Sequence, residues 1–289
     1  MRKTEPSPVA TLLGHAHVGM ALDCLGSLLR YSVDPLRLRV HEDGTLTGED
    51  RERLAAGLGE VEFIGRAEAD ARVADRLAGF PALRAFRQRN PLALKLLDIP
   101  MLAPPEEPDL AYCDADILFL RPFSGLFQFS DAATGAVFMS DRQNAYSVRS
   151  WHLLAHRRLA LPQRVNSGIL LFRTRHYDPD LLEWYFARPE FGFAPVWIEQ
   201  TAWALLGWRA GCRLWDPGLA RLPEPGETGP GEAVALHFVS PLRSLLPGFL
   251  ERSPDRAGEP PVAVGAVPAR RCHFWNLAVT EARRRLARF

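Results

Sequence analysis

The chain has four cysteines in 289 residues. Cys24, Cys113, Cys212 and Cys272 lie far apart, with no Cys-x-x-Cys pair. That spacing excludes a cysteine zinc site, offers no disulfide framework and fits a reducing compartment. No window approaches the run of about 20 apolar residues that a membrane-crossing helix needs. Met1 to Pro8 is short and polar and lacks the apolar core of a signal peptide, so the expected location is the cytoplasm. An excess of one charge is missing too. Thirty-five Lys and Arg against 34 Asp and Glu leave a net +1. This balance carries no footprint for nucleic acid, and none is expected as a partner. Internal repeats are absent. What remains is an ordinary globular composition, 47% hydrophobic and 24% charged. The length suffices for one large α/β core or two small ones.

Periodicity gives the order of elements. Val9 to Gly14 reads as a buried strand ending in the small-residue turn Gly14-His15-Ala16-His17. Val18, Leu22, Leu25 and Leu29 then share one helical face. Leu36 to Val40 alternates and reads as a strand, closed by His41-Glu42-Asp43-Gly44. Glu49 to Leu58 is a helix opened by acids, as the helix dipole favours. Val61 to Ile64 is a third strand. Residues 67–97 look helical in pieces, broken at Gly79-Phe80-Pro81 and Asn90-Pro91. Such strand–helix alternation predicts an α/β fold with a mostly parallel, Rossmann-like central sheet flanked by helices. Ligands in such sheets bind beyond the carboxyl ends of the strands, where Gly14, Asp43 and Asp114 fall. Further on, Ala136 to Met139, Ile169 to Phe172 and Val234 to Phe238 read as strands. Leu181 to Ala187 and Ile198 to Leu206 read as helices. The polar stretch Asp141 to Arg164 reads as a flap. Pro223 to Gly231 and Ser253 to Pro268 read as loops, and Asn276 to Phe289 as a basic helix.

The run Leu110-Ala111-Tyr112-Cys113-Asp114-Ala115-Asp116-Ile117-Leu118-Phe119-Leu120 carries the most chemistry. Two carboxylates one residue apart stand at the end of a buried strand. Burying them is costly unless a cation takes them. Closely spaced acidic oxygens suit Mg²⁺ or Mn²⁺, which keep positions open for water and a substrate phosphate. The alternative is a turn-capping Asp beside one paired with Arg121.

Five segments in order resemble the GT-A fold glycosyltransferases, close to the glycogenin and galactosyltransferase group often called family 8. They are His41-Glu42-Asp43-Gly44, Lys95, Asp114-Ala115-Asp116, Val165-Asn166-Ser167-Gly168-Ile169 with Glu199-Gln200, and His237-Phe238-Val239-Ser240-Pro241-Leu242-Arg243. The resemblance spans about two-thirds of the chain. It implies a metal held by Asp114, Asp116 and His237, and a nucleotide-sugar donor, a UDP-sugar foremost, contacted by Gly14, Asp43, Lys95, Asp114 and Arg243. It also implies Asn166 and Glu199 as catalytic-site residues on the sugar. The chain departs from the family pattern where Glu199 stands for Asp, Ser240 for Gly and Arg243 for Lys. Arg243 keeps the cation and offers a bidentate fork.

The implied reaction is transfer of a sugar from a nucleotide-diphosphate donor to an acceptor hydroxyl, with retention. The implied layout is one domain: a nucleotide-binding half (1–120), an acceptor and sugar half (121–252), and a C-terminal loop with the basic helix (253–289). The acceptor class stays open between saccharide, lipid-linked glycan, peptide and small molecule. Tyr146, Trp151, His152, His156 and Arg157 are its candidate contacts. A non-catalytic sugar-nucleotide-binding relative and a sugar nucleotidyltransferase are the competing readings. A haloacid-dehalogenase-type phosphatase is disfavoured because His41 stands where the nucleophilic Asp would be. The basic tail helix reads as a docking helix, with contact to an anionic membrane face as the second reading.

Overall fold

The computed structural model describes residues 5–229 and 231–286. Its strands are β1 (Ser7–Leu13), β2 (Leu36–Glu42), β3 (Val61–Ile64), β4 (Asp109–Cys113), β5 (Ile117–Phe119), β6 (Phe123–Ser124), β7 (Ala136–Ser140), β8 (Val165–Arg173), β9 (Cys212–Trp215), β10 (Ala220–Arg221), β11 (Ala235–His237), β12 (Val262–Ala263) and β13 (Ala266–Pro268). The helices are α1 (Val18–Tyr31), α2 (Gly48–Leu58), α3 (Arg66–Arg76), α4 (Pro81–Arg89), α5 (Ile99–Leu102), α6 (His152–Ala155), α7 (Pro179–Phe186), α8 (Ile198–Ala210), α9 (Leu246–Arg252) and α10 (Phe274–Leu286). A single π-helical turn, Leu94–Asp98, leads into α5.

The central sheet runs β13-β9-β7-β8-β4-β1-β2-β3. The pairings β1–β2, β2–β3, β1–β4 and β7–β9 are parallel. The strand β8 is antiparallel to both β4 and β7, so the second half of the sheet is mixed. Apolar layers cover both faces. One gathers α3, α4, α7 and α8 around Phe138, Phe172 and Trp203, and the other packs α1 and α2 on Val9, Val40 and Ile169. The helix α8 is buried on nearly every side, including Trp203 and Leu205. That accounts for its lack of a polar stripe. The helix α2 is opened by a capping box in which Thr47 and Asp50 bond each other's backbone N–H, satisfying donors a helix start leaves free.

Two local features aim side chains at one place. In the β7–β8 ladder Phe138 faces Leu170 but Met139 faces Asn166. Ser167, Gly168 and Ile169 therefore bulge, and a bulge re-aims the side chains around it. A small sheet, β10-β11-β5, pairs β11 antiparallel to β5 with His237 opposite Ile117. That register sets His237 beside Asp116.

Two expectations need correction. Residues 141–164 are no free flap. Asn144, Tyr146, Ser147, Val148 and Leu161 are buried, and α10 clamps the segment. Glu281 accepts from Ser150 N at 2.7 Å, and Arg284 donates to Asn144 O at 2.9 Å while lying over the Trp197 ring. The stretch Ser253 to Pro268 is also more than loop. It contributes β12, paired with β6, and β13, which extends the large sheet beside β9. Residues 1–4 and 287–289, parts of the expected polar start and basic tail, lie outside the described residues. Among the described residues no helix is long and apolar enough to cross a membrane.

Candidate active site

Asp114 and Asp116 follow the end of β4, and His237 ends β11. Ligand atoms from the three lie within 4.8 Å of one another. His237 Nε2 sits 3.0 Å from Asp116 Oδ1 and 3.7 Å from Asp114 Oδ2. The other imidazole nitrogen, Nδ1, meets Asn166 Oδ1 at 2.9 Å. Because an amide oxygen can only accept, Nδ1 carries the proton and Nε2 is the atom turned toward the carboxylates. Asn166 Oδ1 also accepts from Gly168 N, and its amide donates to Asp141 Oδ2 at 3.3 Å. Gly168 is required here, because a Cβ would lie 2.4 Å from the imidazole.

The electrostatics follow from burial. Burial opposes ionisation of Asp116, but His237 and the Arg243 fork outweigh it and hold its carboxyl well below the usual range. Burial likewise opposes charge on His237, yet Asp116, and Asp114 more weakly, raise its pKa. Two carboxylates and one imidazole around a common point match the ligand preferences of Mn²⁺, with Mg²⁺ the harder alternative.

Beside this set lies a buried cation. Lys95 projects from the π-helical turn and is 2% exposed. Its Nζ donates to Asp114 at 3.1 and 3.2 Å and to Ser167 Oγ at 3.3 Å, and it lies over the Tyr112 ring. Glu199 Oε1 is 3.7 Å from the same Nζ, beyond hydrogen-bond range, and has no hydrogen-bond partner among the described residues. Ser167 Oγ donates to Glu199 Oε2 at 3.1 Å. One ammonium between two carboxylates serves the nearer. Burial first, offset in part by Lys95, therefore pushes Glu199 up to about 7. Burial works against the charge on Lys95, but Asp114 and Glu199 raise its pKa.

Among solved structures, the chain is similar to mouse xyloside xylosyltransferase 1 in its apo form, at 13% identity and TM-score 0.57 over 82% of this chain and 99% of that one. It is also similar to the galactosyltransferase LgtC in complex with donor and acceptor sugar analogues, at 16% identity and TM-score 0.51, covering 90% and 97%. The chain has a GT-A fold. No family model matches it, and neither does any curated protein.

In this GT-A fold the remaining expected residues take distinct places. Arg243 reaches the centre, donating to Asp116 Oδ2 from Nε at 3.0 Å and Nη2 at 2.7 Å. Its Nη1 lies 3.2 Å from His17 Nε2. Gly14 and Asp43 follow β1, which pairs with β4, and β2, the next strand out. Among the described residues neither forms a hydrogen bond or ion pair with Asp114, Asp116 or His237; they meet each other. A Cβ on Gly14 would lie 2.1 Å from Asp43 Oδ2. Asp43 Oδ1 accepts from Thr45 N and Oγ1, while the adjacent Glu42 is buried and forked by Arg51.

The candidate acceptor contacts fare less well. Tyr146 is fully buried and donates to Pro162 O, so its ring is not open to a sugar. His152 is buried against Phe191 and His156. Trp151 and Arg157 are exposed. Sequence reasoning missed Tyr112, whose hydroxyl donates to Asp114 Oδ1 at 2.5 Å, and the separate roles of Ser167 and Asp141. Tyr112 lies two residues before Asp114 on an alternating strand, a spacing that puts both side chains on one face.

Proposed function

We propose that the chain is a metal-dependent glycosyltransferase, moving a sugar from a nucleotide-diphosphate donor, a UDP-sugar, to an acceptor hydroxyl with retention. The observation that carries this reading is the convergence of Asp114, Asp116 and His237 at the strand ends of a GT-A fold. These three residues would hold Mn²⁺ or Mg²⁺. The bound cation would supply charge to neutralise the diphosphate as it leaves.

The chain's own residues do the rest. Asn166 holds the His237 proton on Nδ1, which keeps Nε2 free as a ligand atom. Arg243, with its side chain 39% exposed against 6% for Asp116, reaches the centre from the solvent side. A donor phosphate would draw its fork off Asp116. Lys95 holds Asp114 and shares the diphosphate's charge. Glu199, bridged by Ser167, faces the sugar. Asp43 accepts from the nucleotide base across the Gly14 approach. Retention is what the resemblance to the family 8 group implies, and Glu199 set against an acceptor hydroxyl would instead open inversion. Asp114 and Asp116 belong to the cation, Asp141 is tied to Asn166, and Glu199 is buried beside Lys95, so no carboxylate is assigned as base for the acceptor. In this reading 1–120 binds nucleotide and 121–252 binds sugar and acceptor, with His237 lent back to the first half. Residues 253–289 form the closing loop and helix. We place the protein in the cytoplasm.

The test mixes the protein with Mn²⁺ and a panel of UDP-, GDP- and ADP-sugars and measures nucleotide diphosphate release. Release from one donor, abolished by EDTA and by Asp116→Ala, is expected. No release from any donor, with no metal-dependent nucleotide binding, would refute the reading in favour of a non-catalytic sugar-nucleotide binder.

A further inference from the structure

A groove of about 660 Å³ opens between residues 142–164 and α10. That is the scale of a small-molecule site. Arg142, Arg164 and Arg283 line it, with Trp275 and Asn144. Arg142 Nε lies 3.9 Å from Glu224, too far to hydrogen-bond, and its charge also acts on Glu227; among the described residues no carboxylate forms an ion pair with Arg164 or Arg283. Arg142 Nε and Nη2 are buried, with no acceptor among the described residues. Buried guanidinium donors without acceptors are costly, so Arg142 would gain by turning toward an anion in the groove. Arg164 is the only non-glycine with positive φ among the described residues, at 57°. It is held there by Asn144 Oδ1, which accepts from its N–H, and by Asp141 O, which accepts from its Nε at 2.7 Å. Holding a non-glycine in that region costs free energy, and such positions gather at functional sites. Trp275 is 74% exposed, a bare aromatic face at the groove's edge. Sugar rings and other flat apolar faces stack on such a surface.

The groove is joined to the candidate active site through Asp141. Its backbone oxygen takes Arg164, its side chain takes Asn166, and Asn166 holds His237. We propose that this groove is the acceptor subsite and that it selects acceptors carrying an anionic group, a carboxylate or a phosphate, on or beside a sugar ring. The anion would sit on Arg142, Arg164 and Arg283 and the ring on Trp275. The word acceptor rests on the glycosyltransferase reading; the anion preference does not.

The test is isothermal titration of the full chain with methyl glucuronide, glucose 6-phosphate and methyl glucoside. At least one charged probe is expected to bind about tenfold tighter than the neutral one, as one charge-assisted contact provides. The tighter of the two charged probes names the anion. Arg142→Gln combined with Arg283→Gln should erase the preference. Arg283→Gln alone, at an exposed position that leaves folding untouched, should already weaken it. Arg285→Gln, on the same helix but outside the groove, should keep it. Equal binding of charged and neutral probes, no binding of either charged probe, or a preference that survives in both groove variants would overturn the proposal. Donor release is scored separately. An anion preference without donor release would refute the glycosyltransferase reading alone, and donor release without the preference would refute this inference alone.

Discussion

Replacing Asn166 with alanine tests how the imidazole is presented. Asn166 is 3% exposed, and its amide serves three buried groups: His237 Nδ1, Gly168 N and Asp141 Oδ2. Each buried polar group left unsatisfied costs about 1–3 kcal/mol. Water entering the small cavity would recover part, so we expect a loss of about 2–5 kcal/mol in unfolding free energy. The more telling effect falls on the cation. Without an acceptor at Nδ1, the proton shifts to Nε2, where Asp116 Oδ1 waits at 3.0 Å, and the ligand atom is lost. Removing such supporting partners weakens metal binding about 10- to 100-fold. Mn²⁺ titration followed by electron paramagnetic resonance of the free ion measures this. Thr201→Ala is the control. Thr201 is fully buried and accepts from Ser147 N at 2.8 Å, so it loses similar stability without touching the imidazole. Wild-type Mn²⁺ affinity in Asn166→Ala, or equal weakening in Thr201→Ala, would refute the reasoning.

Glu199 gives a pH signature. Its carboxyl goes from an ordinary 4.5 to about 7 on folding, so the folded state keeps a proton the unfolded chain has released. Stability therefore falls as pH rises between those values, by up to about 3 kcal/mol. Glu199→Gln should be more stable than wild type at pH 8 and no better at pH 4 in urea unfolding; parallel curves would contradict this. Gly168→Ala drives a methyl into the His237 ring, and should weaken Mn²⁺ binding more than about tenfold at a stability cost of about 1–3 kcal/mol. Gly14→Ala collides with the Asp43 carboxylate instead, so it should spare Mn²⁺ binding and weaken nucleotide binding; the reverse pattern would misplace Asp43.

Short-range patterns in the sequence were informative where one element decides the outcome. The strands from Val9, Leu36 and Val61 announce themselves by burial pattern, and the breaks at Gly79-Phe80-Pro81 and Asn90-Pro91 separate α3, α4 and the π-helical turn. Asp114, Asp116 and His237 are legible as residue types, and the structure brings them together. What joins them is long-range. The β11–β5 pairing that sets His237 opposite Ile117 spans more than a hundred residues, and no local periodicity encodes it. Asn166 shows the same limit from the other side. Its sequence context resembles a sugar-contacting turn, yet the β7–β8 bulge turns its amide onto His237 and Asp141. We assign it as a positioning residue. Asp141 to Arg164 looked like a flap because it is rich in Arg and His. The Asn144 and Ser150 side chains find partners in α10 and the Ser147 N–H finds Thr201 in α8, elements that lie far along the chain.

The most direct test of the central claim is UDP binding by isothermal titration, with and without Mn²⁺, in wild type and Asp116→Asn. The account predicts binding at least about a hundredfold tighter with Mn²⁺, a gain of ~2.7 kcal/mol, and loss of that gain in the variant. UDP affinity unmoved by Mn²⁺, or a gain that persists in Asp116→Asn, would contradict the assignment of Asp114, Asp116 and His237 as the cation site.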